Sequence, residues 1–140
     1  MPDFNIDRIR HLIGEINNAL RKLEPYQKIT EKQFLESSEK RDSAKYNLIV
    51  AIEGAIDICN HIVARSKGRA PQDFADCFLI LRELDLISSD IMERLQRMAR
   101  FRNLLVHLYW KVDDRKVFQI LKTDIQDIIA YLKIIEKIIS

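Results

Sequence analysis

The chain has 140 residues, 47% hydrophobic and 31% charged, with three glycines, three prolines and a formal net charge of +2. At roughly 100–200 residues per domain this is one domain, 1–140, and the composition excludes a disordered or collagen-like chain and argues against an all-β fold of many short strands. No apolar run approaches the ~20 residues needed to span a bilayer, and the opening MPDFNIDRIR is acidic where a signal peptide would be basic and then apolar, so the expected location is cytoplasmic, away from any membrane.

Apolar residues recur at three- and four-residue spacing with no run of strict alternation, which predicts helices throughout. A first helix runs from about Asp3 to Glu24, with Ile6, Ile9, Ile13, Ile16, Leu20 and Leu23 along one stripe, and Pro25 ends it. Thr30 with Gln33 forms a capping box that opens a long second helix, continuing to about Lys67 through Phe34, Ala44, Leu48, Ile52, Ile56, Cys59 and Val63. Gly68 stops it, and Gly54 marks either a bend or a close helix contact. Pro71 and Asp73 start a third helix to about Leu84, burying Phe74, Phe78 and Leu81. Ser89 or Asp90 starts a fourth that reaches about Tyr109. Asp113 or Asp114 starts the last, with Val117, Ile120, Leu121, Ile125, Ile128, Leu132, Ile135 and Ile139 facing inward. The expected fold class is all-α, an up-and-down bundle of about five helices. Cys59 and Cys77, both in apolar helical contexts, are expected to be reduced core thiols.

The charge is unevenly placed. Between Arg94 and Lys116 lie seven basic residues against two acidic ones, a local surface suited to a polyanion or to an ordinary solvated helix face. Within it, Phe101 to Trp110 carries the chemistry. At about 100° per residue, with Arg102 at zero, Tyr109 falls near 340°, Asn103 near 100° and His107 near 140°. These four polar side chains share one half of the helix, opposite a band of Phe101, Leu104, Leu105 and Leu108 expected to anchor in the core. Arg102 and His107 are still about 140° apart, so convergence on one atom calls for a second copy of the helix across a two-fold axis, with Leu95 and Val106 as apolar contacts.

Arginine and histidine together suffice to cleave RNA without a metal. The ribose 2′-hydroxyl is an internal nucleophile beside its phosphate. Histidine moves the proton near neutral pH, and arginine offers a rigid fork of donors to the phosphate as charge builds. Asn103 is an auxiliary that orients the imidazole or donates to a phosphate oxygen. Arg97 and Arg100 are RNA-binding candidates or part of a solvated face, with Lys111 as a third candidate. Trp110 stacks on a base or packs. On the second helix, Glu53, Asp57, Asn60 and His61 form a polar stripe; it reads as a hydrogen-bonded network behind Arg102 or His107 in preference to a metal site, with Asp57 as an auxiliary. No glycine-rich phosphate loop, zinc motif or serine triad is present, and no metal is expected.

The stretch Arg102-Asn103-Leu104-Leu105-Val106-His107-Leu108-Tyr109 resembles the signature of the HEPN domains, specifically the HepT toxins of HEPN–MNT toxin–antitoxin modules: Arg, four residues, His, one residue, Tyr. Ile56-Asp57-Ile58-Cys59-Asn60-His61-Ile62 and the Ala70-Pro71 turn match as well. The resemblance implies a helical homodimer acting as a metal-independent endoribonuclease, with Arg102 and His107 in the cleft and no cofactor of its own. It also implies a partner, a minimal nucleotidyltransferase antitoxin that transfers AMP from ATP to Tyr109 and so silences the enzyme. A catalytically idle helical module docking a nucleotidyltransferase is the alternative.

Overall fold

A computed structural model describes residues 3–66 and 68–140, which form helices and no strand. Helix α1 (Ile6–Gln27) is capped by the Asn5 side chain, which accepts the Arg8 N–H. It runs through Pro25 and does not stop at Glu24, because a proline in the last turn forfeits only one helical hydrogen bond. The predicted capping box is present: Thr30 Oγ1 accepts from Gln33 N–H at 3.1 Å, and Gln33 Oε1 accepts from Thr30 N–H at 3.0 Å.

That box opens a short helix, α2 (Glu31–Leu35), and not the single long one expected. Ser37 caps a new start, accepting the Lys40 N–H at 3.2 Å, and α3 (Ser38–Arg65) follows. The expected end at Lys67 lies outside the described residues. Helix α3 is long and apolar enough to resemble a membrane span, but most of its apolar window is buried within the fold, as in a core helix. Gly54 produces no break in it. A Cβ there would meet Ile16 Cγ1 at 2.5 Å, so the glycine marks a close contact with α1.

Helix α4 (Phe74–Glu83) is capped by Asp73, and α5 (Ser89–His107) by Ser88. A single 3₁₀ turn, Tyr109–Lys111, leads to α6 (Asp114–Gln119), capped by Asp113. A π-helical turn over Ile120–Asp124 joins α6 to α7 (Ile125–Ile139). The core lies between α1, α3, α4, α5 and α7, around Ile16, Leu48, Ile52, Phe78, Tyr131 and Ile135. Tyr131 is fully buried, and its hydroxyl donates to the Ala55 carbonyl at 3.1 Å. Cys59 and Cys77 are buried free thiols with sulfur atoms 2.7 Å apart.

Candidate active site

Arg102 projects from the last turns of α5 toward the middle of α3. Its Nε and Nη2 both donate to Glu53 Oε1, at 3.0 and 2.7 Å, and its Nη1 donates to Asn103 Oδ1 at 3.1 Å. The guanidinium also lies 5.1 Å from the centre of the Phe74 ring, and the side chain is only 16% exposed. Four contacts therefore fix the fork before any ligand arrives. The remaining N–H groups stay available to an anion.

Arg102, Asn103 and His107 line one open groove, walled by Asp73 and Phe74 at the start of α4. A single subunit thus brings the arginine and the histidine to one concavity despite their separation on the wheel. The His107 ring is exposed, and no described side chain bonds it. Asn103 holds the arginine and not the imidazole, which leaves its amide N–H groups free to donate.

Glu53, not Asp57, supplies the link from α3 to Arg102. Asp57 makes no hydrogen bond among the described residues; it lines a separate groove between α1 and α3 with Glu15, Asn18 and Gly54. Burial, followed by the neighbouring Glu53 charge, holds its carboxyl above the usual range, with Arg8 opposing. The rest of the stripe turns elsewhere. Asn60 accepts from Cys77 Sγ, while His61 Nε2 accepts the Asn5 N–H and its Nδ1 lies 2.8 Å from Arg65 Nη1.

Tyr109 is not beside Arg102. Leu108, at φ −132° and ψ 43°, ends α5 one residue after His107, so the wheel does not extend to Tyr109. The tyrosine hydroxyl instead donates to Asp42 Oδ1 at 2.8 Å, with Lys45 Nζ 4.6 Å from the ring centre. Asp42 and Glu53 are eleven residues apart on α3, about 20° apart in azimuth and about 16 Å along the axis. Tyr109 and Arg102 therefore face the same side of α3, three turns apart.

Arg97 and Arg100 line a second groove, on the other flank of α5, with Phe101, Leu104, Lys116 and Asp127. Arg94 at its edge is neutralised by Asp90 and Asp127. Lys111 is exposed on the 3₁₀ turn beside Tyr109. The apolar band is only partly core: Leu105 is buried and Phe101 half-buried, but Leu104 and Leu108 are exposed. Leu95, expected at a dimer contact, is 1% exposed and belongs to the core, whereas Val106 is 41% exposed and Trp110 76%. Trp110 is therefore not packed.

The family Ribonuclease HepT-like matches residues 16–135. The chain belongs to this family. An mRNA nuclease HepT of Shewanella oneidensis is 29% identical over 104 residues, 74% of this chain and 78% of that protein. A tRNA nuclease HepT of Aphanizomenon flos-aquae is 25% identical over 122 residues, covering 87% and 81%. Among solved structures, a tri-AMPylated Shewanella oneidensis HEPN toxin in complex with its MNT antitoxin superposes with a TM-score of 0.86 at 26% identity, covering 94% of this chain and 98% of that one. The all-helical fold and the family expected from the signature both hold, and the family is one of nucleases.

Sequence reasoning on this HepT-like chain missed Phe74 as the platform under Arg102, and it missed Asp42 altogether. Glu53 was visible in the polar stripe of α3 but without its partner.

Proposed function

We propose that this chain is the toxin of a toxin–antitoxin pair, a cytoplasmic metal-independent endoribonuclease. The observation that carries the reading is the groove in which Arg102, already fixed by Glu53 and Asn103, lies alongside an unengaged His107. The 2′-hydroxyl of a bound RNA attacks the adjacent phosphorus, the bond to the 5′-oxygen breaks, and a 2′,3′-cyclic phosphate and a 5′-hydroxyl remain. His107 moves the proton, Arg102 stabilises charge on the phosphorane, and Asn103 donates to a phosphate oxygen. Arg97, Arg100 and Lys111 extend the cationic surface along which the strand lies. Nuclease relatives named for mRNA and for tRNA fit an RNA substrate.

The active form in this reading is a homodimer. Leu104, Val106, Leu108 and Trp110 expose apolar surface around the end of α5, where a second copy would cover it. The antitoxin is a minimal nucleotidyltransferase that uses ATP to place AMP on Tyr109. With about 16 Å separating the two positions along α3, a single adenylate at Tyr109 stops short of Arg102 and several would cover it. The Shewanella toxin carries three.

Purified chain should cut RNA in the presence of a chelator and leave 2′,3′-cyclic ends. His107→Ala should lose two to four decades of rate, about the contribution of a general acid–base. Undiminished cleavage by that variant would overturn the assignment.

A further inference from the structure

The Tyr109 hydroxyl is held by a carboxylate of α3. Its O–H donates to Asp42 Oδ1 at 2.8 Å, across 67 residues of sequence. Asp42 is exposed on the second turn of α3, and Tyr109 is half-buried at the 3₁₀ turn. Lys45 Nζ lies over the tyrosine ring and is tied at 2.7 Å to Asp114, which also meets Arg41 at 3.4 Å. The charged groups facing the phenol are therefore Asp42 and Lys45 from α3 and Asp114 from α6, with Arg41 behind Asp114.

We propose that Asp42 is the proton acceptor for nucleotidyl transfer to Tyr109, so that the modified protein, and not its modifying partner, supplies the base. The proposal rests on the reading of Tyr109 as the modification site. In the step, the Tyr109 oxygen forms a bond to the α-phosphorus of a nucleoside triphosphate. The α–β anhydride bond breaks, pyrophosphate leaves, and the phenolic proton passes to the Asp42 carboxylate and on to solvent. The need for a base is evident from the phenol itself. Burial, then the hydrogen bond to Asp42 and the charges of Asp42 and Asp114, push its pKa up to about 12, so it meets the triphosphate protonated at neutral pH. A phenol is a poor nucleophile until that proton is removed as the new bond forms.

A merely electrostatic role for Asp42 predicts the opposite sign, and a merely orienting one predicts a deficit that is the same at every pH. Removing its negative charge lowers the pKa of the phenol and yields more phenolate, so a reaction that did not use the carboxylate would hold its rate or run faster. Loss of a general base slows it.

The test uses the full chain with a minimal nucleotidyltransferase of the MNT antitoxin type, radiolabelled ATP and magnesium, following first-label incorporation from pH 6 to 9 and locating it by mass spectrometry. Asp42→Asn keeps an acceptor oxygen for the hydroxyl but cannot take the proton. It should label Tyr109 about 10²-fold more slowly at pH 7. The deficit should shrink by about tenfold per pH unit as hydroxide replaces the base, and the titration of the partner cancels in that ratio. Asp42→Glu should recover part of the rate. Labelling of Asp42→Asn at or above the wild-type rate, or a deficit equal at every pH, overturns the proposal. Wild-type chain labelled elsewhere than Tyr109, or not at all, overturns instead the reading of Tyr109 as the modification site, so the two failures are distinct.

Discussion

At the scale of single residues, three of the four carboxylates on α3 meet three different fates. Glu53 spends its charge on Arg102, and Asp42 receives the Tyr109 hydroxyl, while Asp57 has no hydrogen-bond partner among the described residues. Asp57 is exposed, and desolvation together with Glu53 disfavours its ionised form in the folded state. Its folded-state pKa lies above the unfolded value of 3.8, raised first by burial and then by Glu53. The folded state thus binds this proton more tightly than the unfolded chain does. The resulting stabilisation is fully present below pH 3.8 and is lost as pH rises through the folded-state value. Asp57→Asn should accordingly raise the melting temperature at pH 7 and give no gain at pH 3. Equal shifts at the two pH values in thermal unfolding would show that the charge is not the cause. Arg102, Asn103 and His107 were legible in the sequence as the polar half of one helix, but its periodicity set Arg102 and His107 about 140° apart and did not show that they line one groove. Asp42 and Glu53 meet their partners 67 and 49 residues away, and no local spacing encodes those pairings.

At the scale of elements, the sequence reading found the caps at Thr30, Asp73 and Asp113, came within one or two residues of those at Asn5 and Ser88, and missed the one at Ser37. It misled where the pattern ran on past a real stop. The apolar periodicity passes through the α2–α3 break without glycine or proline, and only the Ser37 cap reports it; the Arg41 guanidinium then takes up the Leu35 carbonyl. The π turn is similarly quiet in sequence. Thr123 Oγ1 donates to the Gln119 carbonyl at 2.9 Å, four residues back, and Gln27 Nε2 takes the Leu121 carbonyl at 2.9 Å, pinning the end of α1 to the turn. The α1–α3 contact constrains the position of Glu53, since the adjacent Gly54 lies against Ile16. Gly54→Ala should destabilise the fold by about 1–3 kcal/mol although alanine is the better helix former, because the added methyl overpacks that contact. In urea unfolding the cost should largely vanish in an Ile16→Ala background, the coupling expected of two residues in direct contact. A Gly54→Ala protein as stable as wild type would mean that the helices part freely at this point.

At the scale of the whole molecule, the groove and the apolar end of α5 bear on the same question: whether one subunit completes the site. A groove holding Arg102 and His107 from one chain is sterically open, and water there screens the fork that should stabilise a developing phosphorane. Covering Leu104, Val106, Leu108 and Trp110 with a second copy would remove that water and, across a two-fold axis, set two arginines and two histidines around one phosphodiester. The chain should therefore sediment as a dimer. Val106→Glu, which sets like charges near the axis, should release monomers and lower cleavage with Arg102 and His107 intact. Mixing decides whether the site is shared. Arg102→Ala and His107→Ala chains, each inactive alone, should regain cleavage when unfolded and refolded together, because a heterodimer then holds one arginine and one histidine in a common cleft. If the groove of each subunit works by itself, no heterodimer contains a complete pair on one chain, and the mixture stays as inactive as its parts.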